Sequence, residues 1–231
     1  MSDKNTVLIT GGNKGLGFEL AKKLASLNYE VFLTARNEKA GQDAVDKLAE
    51  MGLNCHFIQL DVDSPESIDN AFNKFKEIAS KLDILVNNAG VMYNEGGILN
   101  IDINIFQKTL QTNTIGPLMM IQKFTPLIPK GGKIINYSSI LGSIANMKNY
   151  KPSYSISKAA LNAITKITAE ALKRNGIAVN SVHPGWVKTD MGGKDAQLEI
   201  SEGIETALWL ITEASVEVTG KFYFKKQEIP W

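Results

Sequence analysis

Two side chains four residues apart can carry proton chemistry, Tyr154 and Lys158 in the run PSYSISKAALNAI (152–164). A phenol ordinarily titrates near 10. Positions i and i+4 share one face of a helix, so the Lys158 ammonium stands beside the Tyr154 phenol and favours its anion. Such a phenol gives a proton to an oxygen that gains charge and takes one back in the reverse direction. Lowering it by about 3 units takes roughly 4 kcal/mol of preferential stabilisation of the anion. The neighbouring tyrosines lack this partner, since Tyr150 has Tyr154 four residues on and Tyr137 has Leu141.

The elements that must position the pair alternate between short β-branched runs and longer helical patterns. Strands are expected at 6–10, 30–35, 55–61, 83–90, 131–139 and 176–185, with a last one at KFYF (221–224). Helices are expected through FELAKKLASL, EKAGQDAVDKLAEM and SPESIDNAFNKFKEIAS, the last capped by Ser64 with Pro65 at its first position. Further helices are expected at about 103–128, 153–174 and 201–213. Repeated βα alternation predicts an α/β fold: a single doubly wound domain over residues 1–231, a mostly parallel sheet of about seven strands, and helices on both faces. In such sheets the carboxyl ends of the strands converge on a ligand crevice.

Composition narrows the function. The chain has 231 residues, 44% hydrophobic and 21% charged, with a net charge of +1 and no long block of one sign. This disfavours nucleic acid or an anionic membrane as the main partner. No apolar run is long enough to span a bilayer, and no leader pattern opens the chain. The one cysteine, Cys55, reads as a small core residue, which suits a reducing, cytoplasmic setting. His56 and His183 read as structural, and with one cysteine they form no metal cluster.

TGGNKGLG (10–17) lies between the first strand and the first helix, with glycines at 11, 15 and 17. A tight turn there brings backbone N–H groups and the positive helix end to a pyrophosphate. The second strand ends in Ala35-Arg36, where a cofactor with a free ribose 2′-hydroxyl usually meets a carboxylate. Arg36 and Lys14 instead suit a 2′-phosphate, which points to NADP(H). Asp61 can accept from an adenine amino group while the Val62 backbone donates; a capping role in the next turn competes for Asp61. Asn87, Ala89 and Gly90 close the fourth strand with small residues that let a dinucleotide lie close.

With TGGNKGLG, NNAG (87–90), Asn113, Ser139, YSISK and PGWVKT (184–189) in this order, the chain resembles the short-chain dehydrogenases/reductases. EVFLTARN and LDILVNNAGV look most like their NADPH-dependent carbonyl reductases. The resemblance implies a Rossmann-type fold and hydride transfer between a nicotinamide and a carbonyl or alcohol. It implies a catalytic set of Asn113, Ser139, Tyr154 and Lys158. Ser139 would orient the substrate oxygen, Asn113 would sit at a helix kink holding a proton-relay water, and Lys158 would also hold the ribose. It extends the cofactor contacts to Asn13, Leu16, Pro184, Gly185, Val187 and Thr189.

The expected reaction is NADPH-dependent reduction of aldehydes or ketones, with Tyr154 as proton donor. The alternatives are an NADP(H)-binding redox-sensing regulator, or an alcohol or steroid dehydrogenase working oxidatively. The stretch between Ser139 and Tyr154 is intermediate between compact members of the family and monomeric carbonyl reductases, whose far longer insertion covers the helix face used for association; a homodimer or homotetramer is the expected assembly, with a monomer left open. A substrate lid is expected at about 189–203, with Tyr93, Met147 and Trp186 as apolar walls.

Overall fold

The computed structural model describes residues 4–231. The strands are β1 (Thr6–Ile9), β2 (Glu30–Ala35), β3 (Cys55–Gln59), β4 (Ile84–Asn87), β5 (Lys133–Tyr137), β6 (Ala178–Val182), β7 (Phe222–Phe224) and β8 (Gln227–Glu228). They form one sheet in the order β3-β2-β1-β4-β5-β6-β7-β8. Every pairing is parallel except that of β8, a two-residue strand turning back on β7. This short return is the eighth strand; its exposed Gln227-Glu228 pair carries no alternation that would mark it in the sequence. The chain runs outward from β1 through β2 to β3, then returns to the other side of β1 as β4. The reversal opens a crevice at the carboxyl ends of β1 and β4.

Both faces of the sheet are buried because alternate residues of each strand point to opposite sides. Val7, Ile9, Val31 and Leu33 pack on one side with Leu20 and Leu24 of α1 (Gly15–Ser26), Leu48 of α2 (Glu38–Glu50) and Leu210. Leu8, Phe32, Leu85 and Ile134 pack on the other with Phe75 of α3 (Pro65–Ile78) and Phe124. The Ser64 hydroxyl caps α3, accepting from the Ser67 N–H at 3.2 Å, and Asn37 caps α2 in the same way at 2.8 Å.

The long helix expected at 103–128 is broken in three. It runs as α4 (Ile103–Leu110), a π-helical turn (Gln111–Ile115) and α5 (Gly116–Phe124). Pro117 explains the break: it has no N–H to give the carbonyl of Asn113, four residues before it. Thr112 and Thr114 add β-branched crowding, and their hydroxyls bond outward, to the Asp63 carboxylate at 2.9 Å and the Ser157 carbonyl at 2.9 Å. Gly116 lets the bend close on the segment after β3, since a Cβ there would lie 2.9 Å from the Val62 carbonyl oxygen.

The longest helix, α6 (Pro152–Leu172), starts with proline at its first position. The helix expected at 201–213 is two pieces, α7 (Ile200–Gly203) and α8 (Glu205–Thr212). A buried polar ladder crosses the sheet to α6. Asn87 donates to Asn136 at 2.8 Å, Asn136 donates to the Thr165 hydroxyl at 2.8 Å, and Thr165 meets the Ser181 hydroxyl at 2.8 Å. These bonds fix the register of β4, β5 and β6 against the helix that carries Tyr154.

Candidate active site

A cleft of about 1120 Å³ opens along the carboxyl edge of the sheet, from Arg36 and Asp61 at one end to Tyr154 and Lys158 at the other. The glycine turn forms its floor. Gly11 and Gly15 both have positive φ, at 63° and 57°, a conformation glycine adopts without strain. Gly17 lies beneath the turn, where a Cβ would come within 2.5 Å of the Gly11 carbonyl oxygen and of the Asn88 amide nitrogen. Lys14, the residue before α1, offers no side-chain cap, so no side chain occupies the positive end of α1. A cradle of this form, with two cations and no carboxylate at 35 or 36, fits a dinucleotide bearing a 2′-phosphate.

Of the residues expected to hold the cofactor, Gly11, Asn13, Lys14, Gly15 and Leu16 line the cleft. So do Arg36, Asp61, Val62, Ala89, Gly90, Tyr154, Lys158, Pro184 and Thr189. Asn87 does not: its side chain points into the core ladder, and Asn88 takes its place at the cleft. Asn88 donates to the Thr10 and Gly11 carbonyls at 2.8 and 3.0 Å, while the Thr10 hydroxyl accepts from the Asn88 and Ala89 N–H groups. The second asparagine of NNAG is thus the brace of the glycine turn, and the strict alternation of β4 carries the signal for it. Gly17, Gly185 and Val187 also lie behind the lining. Gly185 has φ of 88° and sits against Leu198 and Phe224, and Val187 bridges to Leu198.

At the far end the phenol, hydroxyl and ammonium meet. Ser139 lies close enough to Tyr154 for its hydroxyl to favour the phenolate, and that hydroxyl accepts from the Leu141 N–H at 3.2 Å. The Lys158 ammonium donates to the Tyr137 carbonyl at 2.7 Å and stands 5.6 Å from the centre of the Tyr154 ring. Burial pushes the Tyr154 phenol up to about 12, with the Ser139 hydroxyl opposing it, and pulls Lys158 down to about 8. The sequence pattern predicts a phenol made more acidic by its lysine. In the protein alone desolvation wins, because the ammonium is turned to the Tyr137 carbonyl and a dry cleft disfavours both charged forms.

Asn113 is fully buried in the π turn, and its amide is committed. Oδ1 accepts from the Val91 N–H at 2.8 Å, and Nδ2 donates to the Val91 carbonyl at 2.8 Å and the Ser157 hydroxyl at 3.0 Å. The side chain clamps the segment after β4 to α6. Ser157, unremarked in the sequence, is the third member of this clamp. Its hydroxyl in turn donates to the Tyr154 carbonyl at 2.7 Å.

Gly142 brings the turn after Ser139 onto α6. A Cβ there would lie 2.7 Å from the Lys158 Cβ and 2.9 Å from the Ala159 backbone nitrogen. Gly142→Ala is expected to cost about 1–3 kcal/mol through this overlap, read as a lower melting temperature together with reduced turnover.

Tyr93, Met147 and Trp186 are exposed and do not line the cleft. Trp186 donates its indole N–H to the Gly192 carbonyl at 2.8 Å, so it braces the segment expected to act as a lid. Leu198 pairs with Trp186 and Lys188 through backbone bonds of 3.0 and 2.9 Å, which close the base of that loop. From the loop itself Met191, Lys194 and Ile200 face the cleft, and Asp190 forms a 2.6 Å ion pair with Lys14. Among the described residues no group of three or more His, Cys, Asp or Glu could hold a metal, and no helix is long and apolar enough to cross a membrane. Burial raises the Cys55 thiol to about 11, which keeps it unreactive.

His183 packs at a tilt against Phe224, accepts from the Gly185 N–H at 3.3 Å, and is pulled down to about 4 by burial. Its unfolded form takes up a proton near 6.5, its folded form only near 4. Stability from this group is therefore present above pH 6.5 and lost as pH falls toward 4, by on the order of 1–3 kcal/mol. Denaturant midpoints at pH 7 and pH 4.5 are expected to differ more for the wild type than for His183→Asn.

Residues 5–199 match the family model described as short chain dehydrogenase. Carbonyl reductase [NADPH] 1 of Mus musculus is 30% identical over 279 residues, covering 100% of this chain and 99% of its own. Among solved structures, an NADPH-bound carbonyl reductase from chicken fatty liver superposes with a TM-score of 0.90 at 32% identity, over 99% of each chain. The carbonyl reductase Sniffer of D. melanogaster superposes at 0.89 with 33% identity, over 99% of this chain and 100% of its own.

Proposed function

Because the chain belongs to the short chain dehydrogenase family and is an NADP-dependent oxidoreductase, we propose that it reduces aldehydes or ketones to alcohols. The observation that carries this reading is geometric: the Tyr154 phenol faces the cleft near Ser139, with Lys158 one turn further along α6. A protonated phenol is the form that reduction requires. NADPH supplies the hydride when bound.

Ser139 accepts the role of steering the carbonyl oxygen toward Tyr154, and its hydroxyl stabilises the charge that develops there. Tyr154 then gives that oxygen its proton. The Lys158 ammonium stabilises the phenolate left behind and, beside Gly90, stands where a ribose can be held. Because the Asn113 amide is spent on Val91 and Ser157, the relay expected at the kink runs through the backbone carbonyl that Pro117 leaves without its helical donor. Arg36 and Lys14 hold the 2′-phosphate. The loop at 189–203 covers the cleft as a lid, and exposed Ile103, Ile115 and Ile167 supply apolar surface for a homodimer or homotetramer. The one cysteine, half-buried Cys55, suits a cytoplasmic setting.

The test mixes purified protein with NADPH and a panel of aliphatic, aromatic and cyclic carbonyls, following the nicotinamide absorbance. Carbonyl-dependent loss of NADPH is the expected result. Tight NADPH binding without turnover on any carbonyl overturns the reading in favour of a sensor, which needs the cleft but not the proton donor.

A further inference from the structure

The helix that carries Tyr154 begins in an unusual way. Its cap position is Lys151, in the left-handed region with φ of 47°, and a lysine side chain has no acceptor to offer the first N–H groups of a helix. The cap comes from a distant segment instead. Glu95, in the loop after β4, accepts from the Ser153 N–H with one carboxylate oxygen at 3.0 Å and from the Ser153 hydroxyl with the other at 2.5 Å. Ser153 is buried and immediately precedes Tyr154. The Lys151 ammonium returns the contact, donating to the Tyr93 carbonyl at 3.2 Å and to Asn94 at 2.9 Å. A third tie runs from the Ile98 N–H to Asn149 at 2.8 Å. The loop after β4 and the entry to α6 are laced together by these bonds.

We propose that Glu95 is a positioning residue for the proton donor: its carboxylate, from the loop after β4, caps the first turn of α6 and so fixes where the Tyr154 hydroxyl stands. Three observations support this. A carboxylate at the positive end of a helix is favoured. Both of its oxygens are directed to one residue, which fixes orientation as well as distance. The Asn113 clamp holds the same loop to the same helix at Val91 and Ser157, so Glu95 is the second of two anchors on either side of Tyr154. Removing the cap leaves the first turn, and with it the phenol, free to drift from the substrate oxygen, an error to which proton transfer is sensitive.

The inference about turnover rests on the carbonyl-reduction reading; the inference about the helix does not. Glu95→Ala and Glu95→Gln are compared with the wild type by two measurements. Amide hydrogen exchange of the cofactor-free proteins over residues 152–160 is expected to be several-fold faster in Glu95→Ala. With NADPH and the most active carbonyl, kcat is expected to fall about tenfold in Glu95→Ala, with the NADPH Kd within about twofold. Glutamine can accept from the N–H and pair with the hydroxyl, so Glu95→Gln is expected to stay within about threefold of the wild-type kcat. Ser153→Ala, which removes one of the two bonds, gives the same pattern at smaller size should Glu95→Ala not fold. Unchanged exchange in Glu95→Ala overturns the proposal, as does a kcat within twofold of wild type. Parallel loss of kcat and NADPH affinity in both variants also overturns it, because that is damage to the cleft as a whole. A wild type inactive on every carbonyl overturns the reduction reading alone, and the exchange comparison still decides the capping.

Discussion

Tyr154→Phe is expected to lower kcat for carbonyl reduction by roughly 10²- to 10⁴-fold, the contribution of a positioned general acid, while NADPH binds within about twofold of the wild type. The substitution removes one oxygen from a side chain that is otherwise buried. Ser139 keeps the Leu141 N–H. Lys158 keeps its bond to the Tyr137 carbonyl, so neither the glycine turn nor the ribose end of the cleft has reason to move. Single-turnover rates with saturating NADPH separate the chemical step from binding. A variant that turns over at the wild-type rate would remove the phenol from the mechanism.

Arg36→Asp is expected to weaken NADPH binding by roughly 10- to 100-fold and to leave NADH within about threefold of its wild-type Kd. The lost contact is charge-assisted, and the new carboxylate repels a 2′-phosphate. Lys14 is held in a 2.6 Å ion pair with Asp190, whereas Arg36 interacts only at longer range with the Asp63 carboxylate, so the guanidinium is the cation with the freer hand. Titrating both dinucleotides against both proteins gives the answer, and equal losses for NADPH and NADH would show that Arg36 does not read the phosphate.

The fold was legible because its signals are local and repeated. Buried parallel strands such as TVLI and the alternating helices leave few other topologies, and capping residues such as Ser64 mark their own helices. The glycine turn and the Tyr154–Lys158 spacing were legible for the same reason: each lies within one stretch of chain.

Residues whose partners lie far away in sequence were not. Glu95 reaches a helix 58 residues on, and nothing in YNEGG marks it as a cap. Asn87 and Asn88 look equivalent in NNAG, and only the facing of β4 assigns one to the core and the other to the cleft. Tyr93, Met147 and Trp186 read as pocket walls because they are large and apolar, but side-chain size alone does not give direction, such as the turn of the Trp186 indole to Gly192. The acidity of Tyr154 depends on how dry its surroundings are, a property of packing that i,i+4 spacing does not encode.

The bend at Pro117 sets when the catalytic wall is made. A ring that lacks a hydrogen to donate writes the π turn into the covalent chain, so no ligand has to induce it. The conformational entropy of ordering Asn113 and the wall it braces is spent once, as the protein folds, and is not charged again to each arriving substrate.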